Sequence, residues 1–342
     1  MSDTQDLTRP DNRSEGGTAV PRVAVIGCGA WGKNLIRNFA DLGALEAVID
    51  HSPETAAAFA EKHDARVLDY DAALADETID GIVVAVPGDV HYDIAKRALQ
   101  AGKHVYVEKP LTLRLDEAEE LAALAEEKGL ALMVGHLLQY HPVFQTLRQL
   151  VEDGRLGELR YVYSNRLALG RIVRDQNALW DLAPHDISMV LSLMGAEPDE
   201  VDAFGACHLK PNVADTATLH LNFPGEPRAQ IFVSWFHPFK EHKLVAIGTE
   251  GMAVFNDGEA WDDKLLLYPH GLTWDGELPV PDKAEAERVA VPQAEPLKEE
   301  CRHFLDCIAT GATPRTDGRE ALRVQRVLEK ASQDLTARGI EG

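Results

Sequence analysis

The sequence predicts an α/β chain: an N-terminal doubly wound parallel sheet, then an α/β domain built on a large, open, mostly antiparallel sheet. Three observations carry this. The β-branched run Val23-Ala-Val-Ile26 flows into Gly27-x-Gly29-x-x-Gly32 and a helix-like segment, Lys33 to Leu42. Short apolar runs alternate with helical periodicity through the first 140 residues, as doubly wound sheets require. After Pro142 strands predominate, with the alternation of a sheet covered on one face. At 342 residues the chain exceeds one ordinary core. Two domains are expected, residues 21–142 and 143–338, behind a leader.

The leader, residues 1–20, is polar, aperiodic and glycine-containing, and reads as disordered. Strands are expected at 23–26 and at Leu45-Glu-Ala-Val-Ile-Asp50, then a helix at about 53–62 and a short strand at 65–68. The apolar run Gly81-Ile-Val-Val-Ala-Val86 stops at Pro87. A helix at about 89–101 leads to His104-Val-Tyr-Val107, which ends in Glu108-Lys109-Pro110. A helix at 115–128 and a strand at 130–134 close the first domain. The second contributes strands at 159–167, 200–204, 216–223, 228–235, 243–248 and 252–256. An exposed acidic loop is expected over 272–296, and helices over about 294–310 and 317–338.

The strand–turn–helix setting gives the three glycines a mechanism. Gly27 permits the tight turn, Gly29 removes a side chain where a pyrophosphate approaches, and Gly32 lets the helix sit against the sheet. The amides at the helix start face the anion, with Ala30 and Trp31 in the same loop. Asp50 ends the second strand 18 residues after Gly32. An acid there accepts hydrogen bonds from ribose hydroxyls and repels a 2′-phosphate, and His51-Ser52-Pro53 offers no arginine to hold one. NAD is the expected cofactor, ahead of NADP.

A net charge of −22 argues against nucleic acid or an anionic membrane as partner. The acidity fits a high-salt cytoplasm or an ordinary acidic enzyme equally. No stretch has the length of a membrane span and nothing at the start resembles a signal peptide, so a cytoplasmic protein is expected. Cys28, Cys207, Cys301 and Cys307 are scattered, and Cys301-x-His303-x3-Cys307 lacks a fourth ligand; buried thiols are expected and no metal.

Gly27-x-Gly29-x-x-Gly32, Glu108-Lys109-Pro110 and Asp181-x-x-x-His185 occur in the order and spacing of the glucose–fructose oxidoreductase, inositol dehydrogenase and rhizopine catabolism family, which residues 21–338 resemble. Gly135-His-Leu-Leu-Gln-Tyr-His-Pro142 and the segment from Leu179 to Ser188 look most like its sugar-nucleotide 3-dehydrogenases, which oxidise the C3 hydroxyl of UDP-N-acetylglucosamine or its uronic acid. The resemblance implies an NAD-binding domain, a second domain whose sheet often forms an oligomer interface, and a cis Lys109–Pro110 bond. A homo-oligomer, dimer or tetramer, is expected.

The residues themselves suggest the chemistry. Lys109 lies just beyond a central strand's carboxyl end, where it can stabilise a developing alkoxide. His185 follows Pro184, read as the start of a helix, where the dipole would keep a neutral base available. Asp181 is expected to cap that helix or to orient His185 or Lys109. Pro87, His91 and Glu108 are expected near the cofactor. Many relatives carry arginine where Gln139 stands, so its contact with nicotinamide or substrate is left open, and a threonine where Val86 stands. Tyr140 and Asn165 join the expected substrate residues. Arg166, Arg171 and Arg174 form a cationic cluster suited to a diphosphate or sugar carboxylate, or alternatively a surface paired with the many acids. The expectation is an NAD-dependent dehydrogenase oxidising C3 of a UDP-N-acetylated hexose. A free-sugar or inositol dehydrogenase and a non-catalytic dinucleotide sensor stand as alternatives.

Overall fold

A computed structural model describes residues 20–170, 172 and 176–341. Most of the expected leader, together with Arg171 and Arg174, lies outside the described residues. In chain order the elements are β1 (Val23–Ile26), α1 (Gly32–Asp41), β2 (Leu45–Ile49), α2 (Pro53–His63), β3 (Arg66–Val67), α3 (Tyr70–Ala75), β4 (Gly81–Val84), α4 (His91–Gln100), β5 (His104–Val107), α5 (Leu115–Lys128), β6 (Leu132–Val134), α6 (Pro142–Glu152), β7 (Leu159–Leu167), α7 (Ala178–Met194), β8 (Glu200–Ala206), β9 (Thr216–Asn222), β10 (Arg228–Ser234), β11 (Glu241–Gly248), β12 (Met252–Asn256), β13 (Leu265–Tyr268), β14 (Gly271–Asp275), β15 (Leu278–Asp282), β16 (Glu287–Arg288), α8 (Pro296–Thr310) and α9 (Gly318–Ala337).

The first sheet is parallel, in the order β3-β2-β1-β4-β5-β6. Its order turns back at β1, so the connections that leave the paired strands β1 and β4 run to opposite sides and open a crevice at their carboxyl ends. Both faces are covered, which is why β1, β2 and β4 are buried along their whole length. The caps follow local chemistry. Ser52 accepts from the Thr55 amide at the start of α2. Gly129 ends α5 with φ of +63°, which glycine adopts without a side-chain penalty.

The second sheet runs β16-β13-β12-β11-β7-β10-β9-β8, antiparallel except for the β7–β10 pair. Along β7, Val162, Ser164 and Arg166 are buried while their neighbours Tyr161, Tyr163 and Asn165 are only half-buried. One face therefore meets α7 and α9, and the other stays open.

Three expectations change. The expected acidic loop over 272–296 contains the antiparallel hairpin β14–β15 and the short strand β16. Its turn lies at Gly276, with φ of +63°, and its charged and proline residues masked the alternation. After Pro142 the chain first forms α6, before any strand. The last two helices also reach back to the first sheet. Phe304 of α8 is fully buried, edge-on to Phe39 (6.4 Å between centroids) and Tyr106 (5.9 Å). Truncating it to alanine would cost about 3–5 kcal/mol. Ala321 and Leu322 of α9 join the core under β4–β6.

Candidate active site

The glycine loop connects β1 to α1 as its sequence requires. Gly27 has φ of +95°, and a Cβ there would lie 2.3 Å from the Ala85 carbonyl oxygen. A Cβ on Gly32 would lie 1.8 Å from the Gly27 carbonyl oxygen, so the helix meets the loop only through glycine. At Gly29 a Cβ would meet nothing within 4 Å, which leaves open space for a ligand. Helix α1 has no side-chain cap and no acid in its first turn. The Lys33 and Asn34 amides turn inward to the Gly29 (3.2 Å) and Trp31 (2.8 Å) carbonyls, so no side chain covers the positive end that an anion would meet.

Asp50 stands at the tip of β2, and its carboxylate accepts from the amides of Cys28 (2.7 Å) and Ser52 (2.9 Å). Exposed Trp31 donates to Glu108 (2.6 Å), and Tyr106 holds the same oxygen (3.0 Å). A Cβ on Gly135 would lie 2.9 Å from the Glu108 carboxylate and the Tyr106 hydroxyl, so glycine leaves that pair undisturbed. These residues fit a dinucleotide along the loop: open space at Gly29 before an uncapped helix start for the pyrophosphate, and an acid at the ribose.

His91 serves a different purpose from the cofactor contact expected of it. Its ring is buried, 2.8 Å from the Pro110 carbonyl and 2.9 Å from the Val86 carbonyl, and so fastens the turn that carries Lys109. Pro87 is exposed at the end of β4, beside that turn. The Lys109–Pro110 bond is cis.

Lys109 crosses from the first domain to the second. Its Nζ donates to the Asp181 carbonyl (2.7 Å) and lies 3.7 Å from the Asp181 carboxylate. Trp235 donates its indole N–H to the other carboxylate oxygen (2.8 Å). Asp181 is thus the residue that orients Lys109. It is not a cap, since Asn177 accepts from the Trp180 amide and starts α7.

That helix begins earlier than Pro184 suggested, and Pro184 lies inside it. His185 is therefore two turns from the positive helix end, too deep for the dipole effect, which is confined to the first turn. Its neutrality has another cause. Burial pushes its pKa well below the ordinary value, and the cations Lys109 and Arg166 add to this. Its Nδ1 is buried without a hydrogen-bond partner, so the ring's exposure lies elsewhere. Lys109 is also lowered, chiefly by burial and further by Arg166, while Asp181 and Glu108 oppose the shift. The result is a half-buried ammonium beside a neutral imidazole. Such a pair can stabilise an oxyanion and take up a proton.

Arg166 was expected either to read a diphosphate or sugar carboxylate or to pair with acids at the surface. It is instead buried and its fork closes on Asp186, which also accepts from the Ser164 hydroxyl. Its Nη1 faces His242 at 3.4 Å, and burial with this cation pushes His242 down to about 4. Asn165 donates to Glu241 (2.6 Å) on β11. Gln139 is buried and donates to the Ser188 carbonyl and hydroxyl, both 2.9 Å. Tyr140 is buried with its hydroxyl against Thr316 (2.9 Å). The last two tie the 137–140 turn to its neighbours in this structure. Trp235, Asp186, Ser164 and His242 were missed, because the first three meet their partners only where the second sheet packs on α7, and His242 meets Arg166 only where β11 pairs with β7. The four cysteines are unpaired, three of them buried, and no acid, histidine and cysteine cluster among the described residues could hold a metal. No helix among them is long and apolar enough to cross a membrane.

Comparison with known proteins agrees with this geometry. Residues 21–136 match the oxidoreductase family with an NAD-binding Rossmann fold, and residues 144–254 match the GFO/IDH/MocA C-terminal domain. The UDP-N-acetylglucosamine 3-dehydrogenase of Acidithiobacillus ferrooxidans is 30% identical over 315 residues, covering 89% of this chain and 93% of that protein. Its solved structure superposes with a TM-score of 0.81 at 28% identity, covering 92% of this chain and 98% of that one. The inositol 2-dehydrogenase of Rhizobium meliloti is 30% identical over 202 residues, 57% of this chain and 61% of that protein. The structure of GenD2 from gentamicin A biosynthesis, in complex with NAD, gives a TM-score of 0.77 at 26% identity, with coverage of 93% and 95%. With its NAD-binding first domain and its matching second domain, the chain belongs to the Gfo/Idh/MocA family of oxidoreductases.

Proposed function

We propose that this chain oxidises the C3 hydroxyl of a UDP-N-acetylated hexose, UDP-N-acetylglucosamine or its uronic acid, to the 3-keto sugar. The observation that carries the reading is the joining of Lys109, from the first domain, to Asp181, one turn before His185 on α7. A cation and a neutral base near the ends of the parallel strands support this reading, since alcohol oxidation needs both. The near full-length similarity to a UDP-N-acetylglucosamine 3-dehydrogenase supports the choice of sugar.

In this reading His185 accepts the hydroxyl proton and Lys109 stabilises the negative charge that develops on the C3 oxygen. Asp181, braced by Trp235, keeps Lys109 in place. NAD, when bound, supplies the hydride acceptor for the hydrogen on C3. Gly27, Gly29 and Gly32, with Ala30 and Trp31, hold the pyrophosphate; Asp50 takes a ribose hydroxyl pair and Glu108 lies near the nicotinamide end. Arg171 and Arg174 are the arginines left to read the diphosphate or a C6 carboxylate. The enzyme works in the cytoplasm as a homo-oligomer. Exposed Phe204 on β8 is apolar surface that a second copy could cover.

A free-sugar or inositol substrate is the second reading, favoured by the burial of Arg166 against Asp186, which removes one arginine from the diphosphate site. A single-turnover experiment separates the two. The protein is mixed with NAD and, separately, UDP-N-acetylglucosamine, its uronic acid, free N-acetylglucosamine and inositol, while absorbance of the reduced cofactor and product mass are recorded. A keto product two mass units lighter from a UDP-sugar alone is expected. Reduction of NAD by inositol or free sugar, with none by UDP-sugars, overturns the first reading.

A further inference from the structure

Two phenylalanine rings stand open to solvent beside the junction of Lys109 and Asp181. Phe236 is 51% exposed and Phe239 59%, both in the connection between β10 and β11. That connection begins at Trp235, whose indole braces the Asp181 carboxylate. The aromatic surface therefore starts one residue from the brace of the catalytic lysine.

These rings are held in place. Asp215 is buried, and its carboxylate accepts from the His208 ring (2.8 Å), the Leu209 amide (2.6 Å) and the His208 amide. Its carbonyl accepts from the Trp235 amide (2.9 Å), which ties the 207–215 loop to the start of the 235–240 connection. The His208 ring so fixed lies against Phe236, 6.0 Å between centroids and tilted by 31°. The Phe236 amide donates to the Ser234 hydroxyl (3.0 Å). His237 meets Phe239 edge-on at 4.5 Å, with its Nδ1 3.0 Å from the Phe239 carbonyl. The same two loops carry exposed Lys210 and Lys240, and among the described residues no acid pairs with either. We infer, resting on the nucleotide-sugar reading above, that Phe236, backed by His208, is the platform on which the base of the substrate's nucleotide stacks. With the reacting hydroxyl at Lys109 and NAD along the first domain, the rest of the substrate leaves past Trp235, where these rings stand. A nucleobase is flat and offers a π-face to an aromatic ring whatever its edge groups are. The diphosphate beside it is anionic, and the unpaired lysines of the same loops match that charge in a chain whose net charge is −22. A free sugar has no flat ring to lay on Phe236, so this residue selects for the nucleotide.

The test is calorimetric titration of UDP into the NAD-saturated full chain, unmodified and as Phe236→Ala and Phe236→Tyr, with single turnovers of UDP-N-acetylglucosamine alongside. Phe236→Ala should weaken UDP about tenfold or more and raise the half-saturating UDP-sugar concentration in step, while NAD affinity stays the same. Phe236→Tyr keeps the ring and should restore most of the affinity. Retained NAD binding shows that each variant is folded. UDP affinity unchanged in Phe236→Ala overturns the inference and leaves the nucleotide-sugar reading standing. A loss that tyrosine does not restore overturns it too, as does one accompanied by a change of oligomeric state on sizing, since the ring would then be a contact between copies. An unmodified protein that neither binds UDP nor oxidises a UDP-sugar overturns the nucleotide-sugar reading itself, and the platform with it.

Discussion

Removing Arg166 tests whether the second domain is organised around a buried charge. In Arg166→Met, Asp186 keeps the Ser164 hydroxyl but loses both guanidinium contacts. Asp186 is 1% exposed and Arg166 8%, so water cannot replace the lost partner. An exposed pair contributes about 0–1 kcal/mol, whereas breaking a buried one costs about 3–5 kcal/mol because one charge stays buried and unanswered. The burial puts Arg166→Met in the second class. Adding Asp186→Asn removes the stranded charge and leaves an acceptor for Ser164, so the double variant should recover most of the loss. Urea unfolding followed by tryptophan fluorescence measures all three proteins. A loss below about 1 kcal/mol in the single variant, the range of a surface pair, would refute the reasoning. A double variant no more stable than the single would refute it equally. Should Arg166 instead read the substrate, its loss would weaken substrate binding without this stability pattern.

Lys109→Met and His185→Asn should each lower single-turnover rate by about 10²-fold or more with NAD affinity nearly unchanged, as for losing an oxyanion stabiliser or a general base; near-full rate in either would remove its assigned role. Because the His185 pKa is lowered, its neutral, proton-accepting form persists below the usual histidine range, so the acid limb of the kcat/KM profile should lie below about pH 6.5. Lys109 is lowered too, so its cation should be lost, and the alkaline limb reached, below the ordinary lysine value of about 10.4. Asp50→Ala should narrow the preference for NAD over NADP, read from the two dissociation constants, and tighter NADP binding by the unmodified protein would overturn the cofactor assignment. Glu300 is fully buried beside Tyr106 and Glu108, and burial raises its carboxyl well above the usual range. Its folded form therefore holds a proton that the unfolded chain releases, so stability should fall as pH rises above about 4.3. Glu300→Gln should flatten that fall in melts taken across pH; an unchanged slope would show that Glu300 is not its source.

By itself the sequence determined what depends on near neighbours. The glycine loop, the acid at the tip of β2, the buried runs of the first sheet and the Glu108-Lys109-Pro110 turn all follow from local sterics and strand burial over a few residues. Asp181 and His185 share one face of α7, since four residues make about one turn, but the sequence reading began the helix at Pro184 and left Asp181 outside it. The tertiary structure decided which groups those residues meet. The partner of Lys109 lies 72 positions away, and Trp235 braces Asp181 from 54 away. Arg166 and Asp186 share a face only because β7 packs against α7. The start of α7 was misread because Pro184 imitates a first-turn residue, while Asn177, a stronger cap, stands seven positions before it. The neutrality of His185 likewise comes from burial and two distant cations rather than from a local dipole. Desolvation and charge proximity depend on the folded density of atoms around a group, and no window of sequence contains that quantity.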